Sequence, residues 1–497
     1  MKSVASFTAA VALLSGTTNA FWRMPCRERI GLMRLDPIVD PGTASSHGHT
    51  LHGGSNLQEE TTYEMLRDSN CTSCQFEDDK SAYWTPSLHF IHENGKTEVV
   101  EQIGGMLAYY LLLGKDIKAF PKGFRMLAGD SRLRNFTGAV PDPPLAAWTE
   151  EDLTQFSLGQ KSLGFNCLHY KKPAEGARYR HFLPTKDYMD ENCADGIRAE
   201  IFFPSCWNGK DVDSDNHKDH MAYPNMIDGG VCPEGFDTRL PSLFYETIWN
   251  TQAFKDFPGQ FVWSNGDPTG YGYHADFING WDIDTLQSAV ETCTDPSGKT
   301  EDCPVFSGAL LSEPEMMQCK IESQPKILSN DDCAGPADGL CGNVPVQYGP
   351  AYAAALKPGD HAEPTVKPTL ASSAAPVPTL SYASARSKGA TDAYGGGISV
   401  YNVEETPAMP TLTSTSVSTS TSVEAEAETP AVTAAALADD AISSDDGIVS
   451  TSTYTSEGIV YEVAIKEIAV TVTVEAKRRR HAHMHRRDRE HGLLGRH

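Results

Sequence analysis

The sequence predicts a mainly β (α+β) fold, a disulfide-stapled β-sandwich or jelly-roll-like domain with a few short helices, followed by a disordered tail. Short apolar runs that alternate with turn residues are typical of antiparallel strands. All twelve cysteines, an even number, lie between Cys26 and Cys341, which indicates up to six disulfides formed in an oxidising compartment. Beyond about residue 350 the composition shifts to Pro, Ser, Thr, Ala and acidic residues, which bury too little surface to order a chain.

Four segments follow from these shifts in composition. Residues 1–20 have a positive start, a short apolar run and small residues ending at Ala20, as a secretory signal peptide has. Residues 21–345 form the globular domain, which is long enough for a large core. Residues 355–457 are a Ser/Thr/Pro/Ala-rich stalk that we expect to be O-glycosylated, and residues 458–497 combine a β-prone segment with a basic, His-rich tail.

Charge and local motifs indicate a secreted, extracellular protein. The net charge of −25 argues against nucleic acid as a partner, although the last 21 residues carry a net charge of +6. In that tail, Lys477-Arg478 is either a dibasic processing site or part of a solvated basic segment. No transmembrane segment is expected, because the best candidate, residues 459–474, contains charges and alternates like a strand. Two sequons, which begin at Asn70 and Asn135, agree with export.

Local patterns predict individual elements within the domain. Helices are expected at 114–120, 245–254 and 281–293, the last with Asp282 or Asp284 as its cap. An Asn-Gly pair within residues 92–96 predicts a β-hairpin. Three cysteine pairs are close enough in sequence to be candidates for local disulfides: Cys71/Cys74, Cys293/Cys303 and Cys333/Cys341.

The stretch "SSHGHTLHGG" at residues 45–54 contains three histidines in six positions. On a strand, His47 and His49 would lie on one face, whereas His52 would lie on the other unless a glycine bends the chain. Three imidazoles are suitable ligands for Zn or Cu. The alternative is that they are hydrogen-bonded structural histidines in a glycine-rich turn. In either case, the stretch is interpreted as one wall of a polar pocket.

A second stretch, residues 206–224, is rich in carboxylates and imidazoles. Asp213, Asp215 and His220 are candidate metal ligands there, and the D-x-D-x-D start is similar to a calcium loop. Asn216 and Ala222 stand where an EF-hand needs glycine and glutamate, so an irregular Ca site or a solvated acidic loop remains.

The third stretch, residues 263–282, supplies candidate catalytic groups. His274 and Asp276 are two residues apart and would share a strand face, which suits metal ligation or acid–base chemistry. Glu200 and Glu246 stand in apolar sequence surroundings, so each is a candidate acid with a shifted pKa. The aromatic residues that could stack on sugar rings are Trp207, Tyr271, Tyr273 and Trp281. The alternative is that these aromatic residues belong to the core.

Several enzyme classes have no support in the sequence. There is no G-x-S-x-G elbow, phosphate-binding loop, dinucleotide fingerprint or H-E-x-x-H motif. The long stretches "RLDPIVDPGTASSHGHTLHGG", "HFLPTKDYMDENCADGIRAEIFFPSCWNGKDVDSDNHKDHMAYP" and "LPSLFYETIWNTQAFKDFPGQFVWSNGDPTGYGYHADFINGWD" do carry a resemblance. Across about residues 30–320, the chain resembles fungal secreted proteins of the DUF1996 family, a domain of unknown function. The resemblance implies an extracellular or wall-associated protein and supplies no reaction.

Two functions remain open from the sequence. In the first, a polar His/Asp/aromatic cleft binds cell-wall polysaccharide without turnover. In the second, the domain is a metal- or carboxylate-dependent carbohydrate-active hydrolase or lyase that uses a divalent ion such as Zn, Cu or Ca. A purely structural surface protein, which presents an inert stapled domain, is the third interpretation.

Overall fold

The computed structural model of the protein describes residues 20–329, 331, 333–356, 448–456 and 459–466. In residues 20–356 the strands are β1 (Ala20–Cys26), β2 (Gly31–Met33), β3 (His49–Gly53), β4 (Ala82–Pro86), β5 (Leu88–His92), β6 (Lys96–Val99), β7 (Gln102–Leu112), β8 (Arg125–Gly129), β9 (Leu163–Cys167), β10 (Ile197–Phe202), β11 (Cys206–Trp207), β12 (Met221–Ala222), β13 (Thr238–Arg239), β14 (Ser242–Trp249), β15 (Gly259–Trp263), β16 (His274–Ile278) and β17 (Ala337–Asp338). The α-helices are α1 (Tyr63–Arg67), α2 (Gln155–Lys161), α3 (Lys186–Asn192), α4 (Ile283–Thr292) and α5 (Glu313–Gln318), and single 3-10 turns span Leu145–Ala147, Thr251–Phe254, Thr300–Asp302, Pro304–Phe306 and Lys326–Leu328. The predicted mainly β fold with a few short helices is confirmed.

Two five-stranded sheets form the body of this unit. The first sheet has the order β1-β7-β14-β10-β9, and the second has the order β2-β3-β4-β16-β8. Neighbouring strands are antiparallel in both. A four-stranded sheet, β15-β5-β6-β17, and a three-stranded sheet, β12-β11-β13, complete the unit. Each strand of the large sheets therefore has one face toward the main core and one face away from it.

The main core lies between the two large sheets and is rich in aromatic residues. The rings of Tyr83 and Tyr245, from the second and first sheets, approach to 5.7 Å between centroids. The Tyr245 hydroxyl donates to the backbone oxygen of Asp276 at 3.0 Å. Trp22 stacks on Tyr110 with centroids 4.9 Å apart. The hydrogen bond from Tyr245 ties β16, the strand that carries His274 and Asp276, to the first sheet.

A smaller apolar cluster covers the outer face of the second sheet. Leu51 and Trp84 from the sheet pack there with Leu35, Ile38 and Leu57 from the loops. Because loop 34–46 lies over this face, the outward side chains of β3, β4 and β16 are buried rather than exposed. The candidate site described below lies at one end of this face.

All twelve cysteines are paired, in six disulfides. The predicted local pairs Cys293–Cys303 and Cys333–Cys341 are confirmed. The pairing of Cys71 with Cys74 is wrong, because Cys74 pairs with Cys26 and Cys71 pairs with Cys319. Cys74 forms a β-bridge directly opposite Cys26, which brings those two sulfurs together and leaves Cys71 for a distant partner.

The predicted local elements have mixed outcomes. Helix 281–293 is confirmed as α4, and Asp282 caps it by accepting from the Thr285 backbone N–H at 2.9 Å. The 92–96 hairpin is confirmed by the pairing of β5 with β6. The helix at 114–120 is wrong, since those residues are irregular. The helix at 245–254 is also wrong, because its first half lies in β14, the central strand of the first sheet.

A second unit contains the antiparallel hairpin of β18 (Ile448–Ser456) and β19 (Ile459–Lys466). The hairpin falls in and just before the segment predicted to be β-prone. Residues 1–19 of the predicted signal peptide, most of the predicted stalk and residues 467–497 lie outside the described residues. Among the described helices, none has the length and hydropathy that a membrane crossing requires.

Candidate metal centre

Three strands of the second sheet bring two histidines to one level of its outer face. His49 on β3 pairs with Pro86 on β4. On β16, Asp276 pairs with Trp84 of β4, and this register continued by two residues places His274 beside Pro86 as well. Directly paired residues in antiparallel strands share a face. His49 and His274 therefore flank Pro86 on the same side of the sheet.

His47, from the turn that precedes β3, completes a group of three imidazoles. One ligand nitrogen from each of His47, His49 and His274 lies within 4.8 Å of the other two. The Nε2 atoms of His47 and His274 are 3.0 Å apart. The ring centroids of His47 and His49 are 4.4 Å apart. We call these three residues the histidine trio.

Hydrogen bonds from the backbone and a hydroxyl orient two of the rings. His274 Nδ1 lies 2.9 Å from the carbonyl oxygen of Gly272, to which it can only donate, so its Nε2 keeps a free lone pair. His47 Nδ1 lies 3.0 Å from the hydroxyl of Ser46, which can donate or accept. The Nε2 atoms of both rings therefore point into the space between them, as ligands fixed by their other nitrogen do.

Burial keeps the trio neutral. Desolvation, followed by the neighbouring imidazoles, lowers the pKa of His47 and of His49 well below the usual value. Burial also lowers the pKa of His274 to about 4. Three neutral imidazoles, each with one nitrogen that carries no proton, are in the state that binds a metal ion.

Several buried polar groups next to the trio are unsatisfied. Within the described part of the chain, neither ring nitrogen of His49 and neither carboxylate oxygen of Asp276 has a hydrogen-bond partner in good geometry. The indole N–H of Trp84 is likewise unpaired among those residues. Asp276 follows His274 by two residues on the same face, a separation of about 7 Å along the strand. Buried polar groups are normally satisfied, so this concentration of unsatisfied groups indicates a site for a polar ligand.

Charged groups from two other segments surround the trio. Asp36 is buried, and desolvation raises its pKa to about 6. Burial, with a contribution from the charge of Asp36, raises the pKa of Asp276 well above its usual range, while Lys218 opposes that shift. The Lys218 ammonium donates to the carbonyl of Gly129 at 2.5 Å, on the strand beside β16. The turn 34–40 and the residue pair 217–218 thus face the outer end of the same sheet.

The geometry of the trio suits one ion with nitrogen ligands. Zn–N bonds are about 2.0–2.1 Å long, so two nitrogens on one ion are separated by about 3.0–3.4 Å at ordinary angles. The 3.0 Å between His47 Nε2 and His274 Nε2 fits that range, and His49 has to approach slightly. Three protein ligands leave a fourth position open, which is the arrangement of catalytic rather than structural zinc sites. A second candidate group of metal ligands, Asp331 with Cys333 and Cys341, is not comparable, because its two sulfurs form a disulfide.

His52 lies away from the trio. It pairs with Tyr83 on β4, whose ring is in the main core, so His52 faces the opposite side of the sheet from His49. Burial lowers the pKa of His52 to about 3. The alternation expected of a strand therefore holds at this position.

The acidic stretch does not assemble a three-ligand cation site among the described residues. Asp213 accepts from His217 Nδ1 at 2.7 Å and lies 3.8 Å from Arg125 Nε, while Asp215 is exposed. His220 is fixed by the Arg125 carbonyl at 2.9 Å and the Ser214 hydroxyl at 3.0 Å. The stretch approaches the trio through His217 and Lys218, which the sequence reasoning did not select.

Glu200 and Glu246 form a separate buried cluster on the first sheet. They are directly paired between β10 and β14. Arg198 lies 2.6 Å from a Glu200 oxygen and 3.4 Å from a Glu246 oxygen, and the Tyr109 hydroxyl donates to Glu246 at 2.7 Å. Burial raises the pKa of Glu246, as expected for a second carboxylate that shares one guanidinium. These partners make the cluster an ion-pair network on a different sheet from the trio.

The four selected aromatic residues are mainly packing elements. Tyr273 and Trp281 are fully buried in the main core, and the Trp281 indole donates to the Tyr110 hydroxyl at 2.8 Å. Tyr271 stacks on Phe136, with centroids 6.2 Å apart. Trp207 is half-buried and donates to the Asp211 carbonyl at 2.7 Å. Among the ring contacts of the described residues, none joins two of these four rings.

Sequence reasoning missed Asp36, Trp84 and Lys218 as neighbours of the trio. Asp36 carries a usable signal, because it opens a turn with prolines just before the histidine stretch. Its Oδ1 accepts from the backbone N–H groups of Ile38 and Val39 at 3.1 and 3.0 Å, as an Asx turn does. Trp84 and Lys218 reach the site only through strand pairing and loop contacts, for which a single sequence gives no sign.

Comparison with known proteins gives a match to one family model, whose description names no reaction. No curated protein and no solved structure matches the chain significantly. The segment that carries the histidine trio, Asp36 and Asp276 does match a family model, over residues 36–281. That model is described as Domain of unknown function (DUF1996), and the match supports the family resemblance that the sequence indicates.

Proposed function

We propose that the domain holds one transition-metal ion, Zn or Cu, between His47, His49 and His274, and that it uses the ion on carbohydrate outside the cell. The observation that carries the proposal is the convergence of three buried, neutral imidazoles from two distant segments, with ligand nitrogens within 4.8 Å of one another. Among the described residues, neither ring nitrogen of His49 has a hydrogen-bond partner in good geometry, and an ion would satisfy one of them. A buried polar group left unsatisfied costs about 1–3 kcal/mol.

The chemistry of the site favours metal-assisted hydrolysis or elimination. An ion with three imidazole ligands acts as a Lewis acid toward an oxygen in its open position. Asp276, which follows His274 by two residues on the same face of the strand, would be the group that exchanges a proton with a molecule bound there. His47 and His274 are each 7% exposed, so a solvent-accessible edge leads to the trio.

Carbohydrate and an extracellular location are supported by the chain as a whole. Six disulfides fit an oxidising compartment. The net charge of −25 disfavours nucleic acid and anionic lipid but not a neutral wall polysaccharide. The Ser/Thr/Pro-rich stalk is typical of proteins displayed at a cell surface.

A second candidate function is polysaccharide binding without turnover. The observation that favours it is burial: His49 and Asp276 are both 0% exposed, so a polymer could reach only the rim of the site. In this case the ion would stabilise the fold of the rim.

Metal analysis of protein purified without chelator tests the proposal. All samples carry His481→Ala, His483→Ala and His485→Ala, because a His-rich tail binds metals by itself. We expect about one Zn or Cu per chain, and loss of that ion in His49→Ala. His92→Ala is the matched control, since His92 is a partly exposed histidine that pairs with Glu98 at 2.6 Å, outside the trio.

Thermal unfolding shows whether the His49→Ala variant is folded. Metal at 100 times its Kd should stabilise the metal-free control protein by about 2.7 kcal/mol and leave His49→Ala unchanged. A control protein with no bound metal and no stabilisation by Zn or Cu would refute the metal centre. Reducing-end release from a polysaccharide panel, beside pull-down on the same polymers, separates the enzyme from the binder.

A further inference from the structure

We infer that Asn70 carries an N-linked glycan, and that the glycan is attached before the Cys71–Cys319 disulfide closes. The inference rests on the export proposed above and is independent of the metal centre. It follows from the position of the Asn70-Cys71-Thr72 sequon in the folded domain. There Asn70 is exposed, Cys71 is in a disulfide and Thr72 is buried.

The acceptor side chain lies at the surface. Asn70 is exposed, whereas Thr72 is fully buried. A glycan on Asn70 therefore projects into solvent without displacing any core residue. The folded protein can keep such a modification at no cost in packing.

The rest of the sequon is fixed in the fold. Thr72 forms a β-bridge with Gly54, and its hydroxyl accepts from the Cys74 backbone N–H at 3.2 Å. The backbone N–H of Asn70 donates to Glu322 at 2.8 Å. Transfer of a glycan requires the enzyme to reach the threonine hydroxyl as well as the asparagine amide. The folded segment presents only the asparagine.

The central residue of the sequon closes a very long loop. Cys71 pairs with Cys319, 248 residues later in the chain. At a synthesis rate of about 5–20 residues per second, Cys319 follows Cys71 after roughly 12–50 s. During that interval Cys71 cannot form its native disulfide, so glycan transfer has a defined window. Cys74 can already pair with Cys26, which precedes it.

The transfer balances with a lipid-linked oligosaccharide pyrophosphate as donor. The amide nitrogen of Asn70 forms a bond to the anomeric carbon of the first sugar. The bond from that carbon to the pyrophosphate oxygen breaks, the lipid pyrophosphate leaves with the electron pair, and the amide nitrogen loses one proton to a base of the transferase. No oxidation state changes.

The second sequon provides an internal comparison. Asn135 and Thr137 are both exposed, and neither flanks a cysteine. Thr137 is held by Gln160, whose oxygen accepts from the threonine hydroxyl at 2.5 Å. That single side-chain contact can open without unfolding a sheet, so Asn135 should remain a substrate for longer than Asn70.

Two arms test the inference with the full chain. Protein secreted by a yeast host is treated with a glycosidase that converts glycosylated Asn to Asp, and peptide mass spectrometry reads both sites. Glycan-free protein, either oxidised and folded or reduced and unfolded, is then offered to solubilised oligosaccharyltransferase with the lipid-linked donor. Asn70→Gln, a surface substitution, confirms the assignment of the site.

We expect occupied Asn70 in the secreted protein and transfer to Asn70 only in the reduced, unfolded sample. Unmodified Asn70 in the secreted protein would overturn the inference, whatever the state of Asn135. Efficient transfer to Asn70 of the oxidised, folded protein would overturn the proposed order of events. Neither result depends on whether the histidine trio binds metal.

Discussion

At the scale of single residues, the domain combines buried acids and buried histidines whose pKa values move in opposite directions. Burial raises the pKa of Asp36 and of Asp79 to about 6, and it lowers the pKa of His274 and of His89 to about 4. The acids favour the folded state at low pH, while the histidines favour it at high pH. The measured pH dependence of stability will therefore be a small difference between larger opposing contributions.

Asp79→Asn isolates one of these contributions. Asp79 is fully buried and accepts from the Tyr83 hydroxyl at 2.6 Å and the Ser81 backbone N–H at 3.1 Å. Its pKa of about 6 in the fold exceeds the ordinary 3.8, so the folded state binds the proton more tightly. Wild-type stability should therefore fall, relative to Asp79→Asn, by about 2 kcal/mol as pH rises from 4 to 7.

Urea unfolding at several pH values measures this difference, because the histidine contributions cancel between the two proteins. Asp256→Asn, at an exposed acid, is the control for the substitution itself. A pH dependence for Asp79→Asn no larger than that of the control would mean that Asp79 is not desolvated as described.

The same scale shows how far sequence reasoning reaches into the site. The expectation that His47 and His49 act together agrees with their proximity, because a two-residue spacing needs only local geometry. The sequence leaves His274 open as a metal ligand or an acid–base group and does not join it to His47, which is more than 200 residues away in the chain. The two-residue spacing to His274 indicates Asp276 as a second candidate catalytic group. In the structure Asp276 lies beside the trio on the same face of the sheet.

At the scale of elements, β16 decides whether the trio can form. It lies between β4 and β8 and carries both His274 and Asp276. Its partner β8 ends at Gly129, which has φ of +80° and pairs with His274. A Cβ at this position would lie 2.5 Å from the carbonyl oxygen of Tyr273. The close approach of the two strands at the site therefore needs glycine.

Gly129→Ala should separate β8 from β16 and displace His274. Gly123→Ala is a matched control, because Gly123 also has a positive φ of +77° but a Cβ added there would meet no atom within 4 Å. We expect Gly129→Ala to cost about 1–3 kcal/mol more than the control in urea unfolding and to lower metal occupancy. Equal costs and equal occupancy for both variants would show that the strand spacing does not position the trio.

Elements were predictable where the signal is local. The cap and apolar face of α4 and the Asn-Gly turn of the β5–β6 hairpin lie within a few residues. The segment 245–254 failed as a helix because β14 is buried on both faces, which removes the alternation by which a strand is recognised. Tertiary burial in the centre of the first sheet overrides the helical spacing.

At the scale of the whole molecule, disulfides connect parts of the chain that are distant in sequence. Cys71–Cys319 spans 248 residues, whereas Cys333–Cys341 spans 8. The even number of cysteines predicted that six bonds were available, and the long pairings were not predictable, because any cysteine can reach any other before folding. The long bond ties the C-terminal end of α5 to the segment that follows β3, where the Cys71 carbonyl accepts from the Ser55 backbone N–H at 3.0 Å.

The length of the loop that each disulfide closes predicts how much that disulfide contributes to stability. In the chain-entropy view, a disulfide stabilises by restricting the unfolded chain, and the effect grows with the closed loop. Replacing both Cys71 and Cys319 by Ser should cost about 5–6 kcal/mol, against about 2–3 kcal/mol for the Cys333 and Cys341 pair. Urea midpoints of the two double variants measure this, and a larger loss for the short loop would contradict the entropic account.

The most direct measurement of the central claim is anomalous diffraction at the Zn and Cu absorption edges, from crystals of the full chain grown without chelator. The proposal predicts a single strong peak about 2.0–2.1 Å from His47 Nε2 and His274 Nε2, with His49 drawn in as the third ligand. Density showing the two Nε2 atoms still 3.0 Å apart in a direct hydrogen bond, with no anomalous peak between them in crystals soaked in either metal, would contradict it.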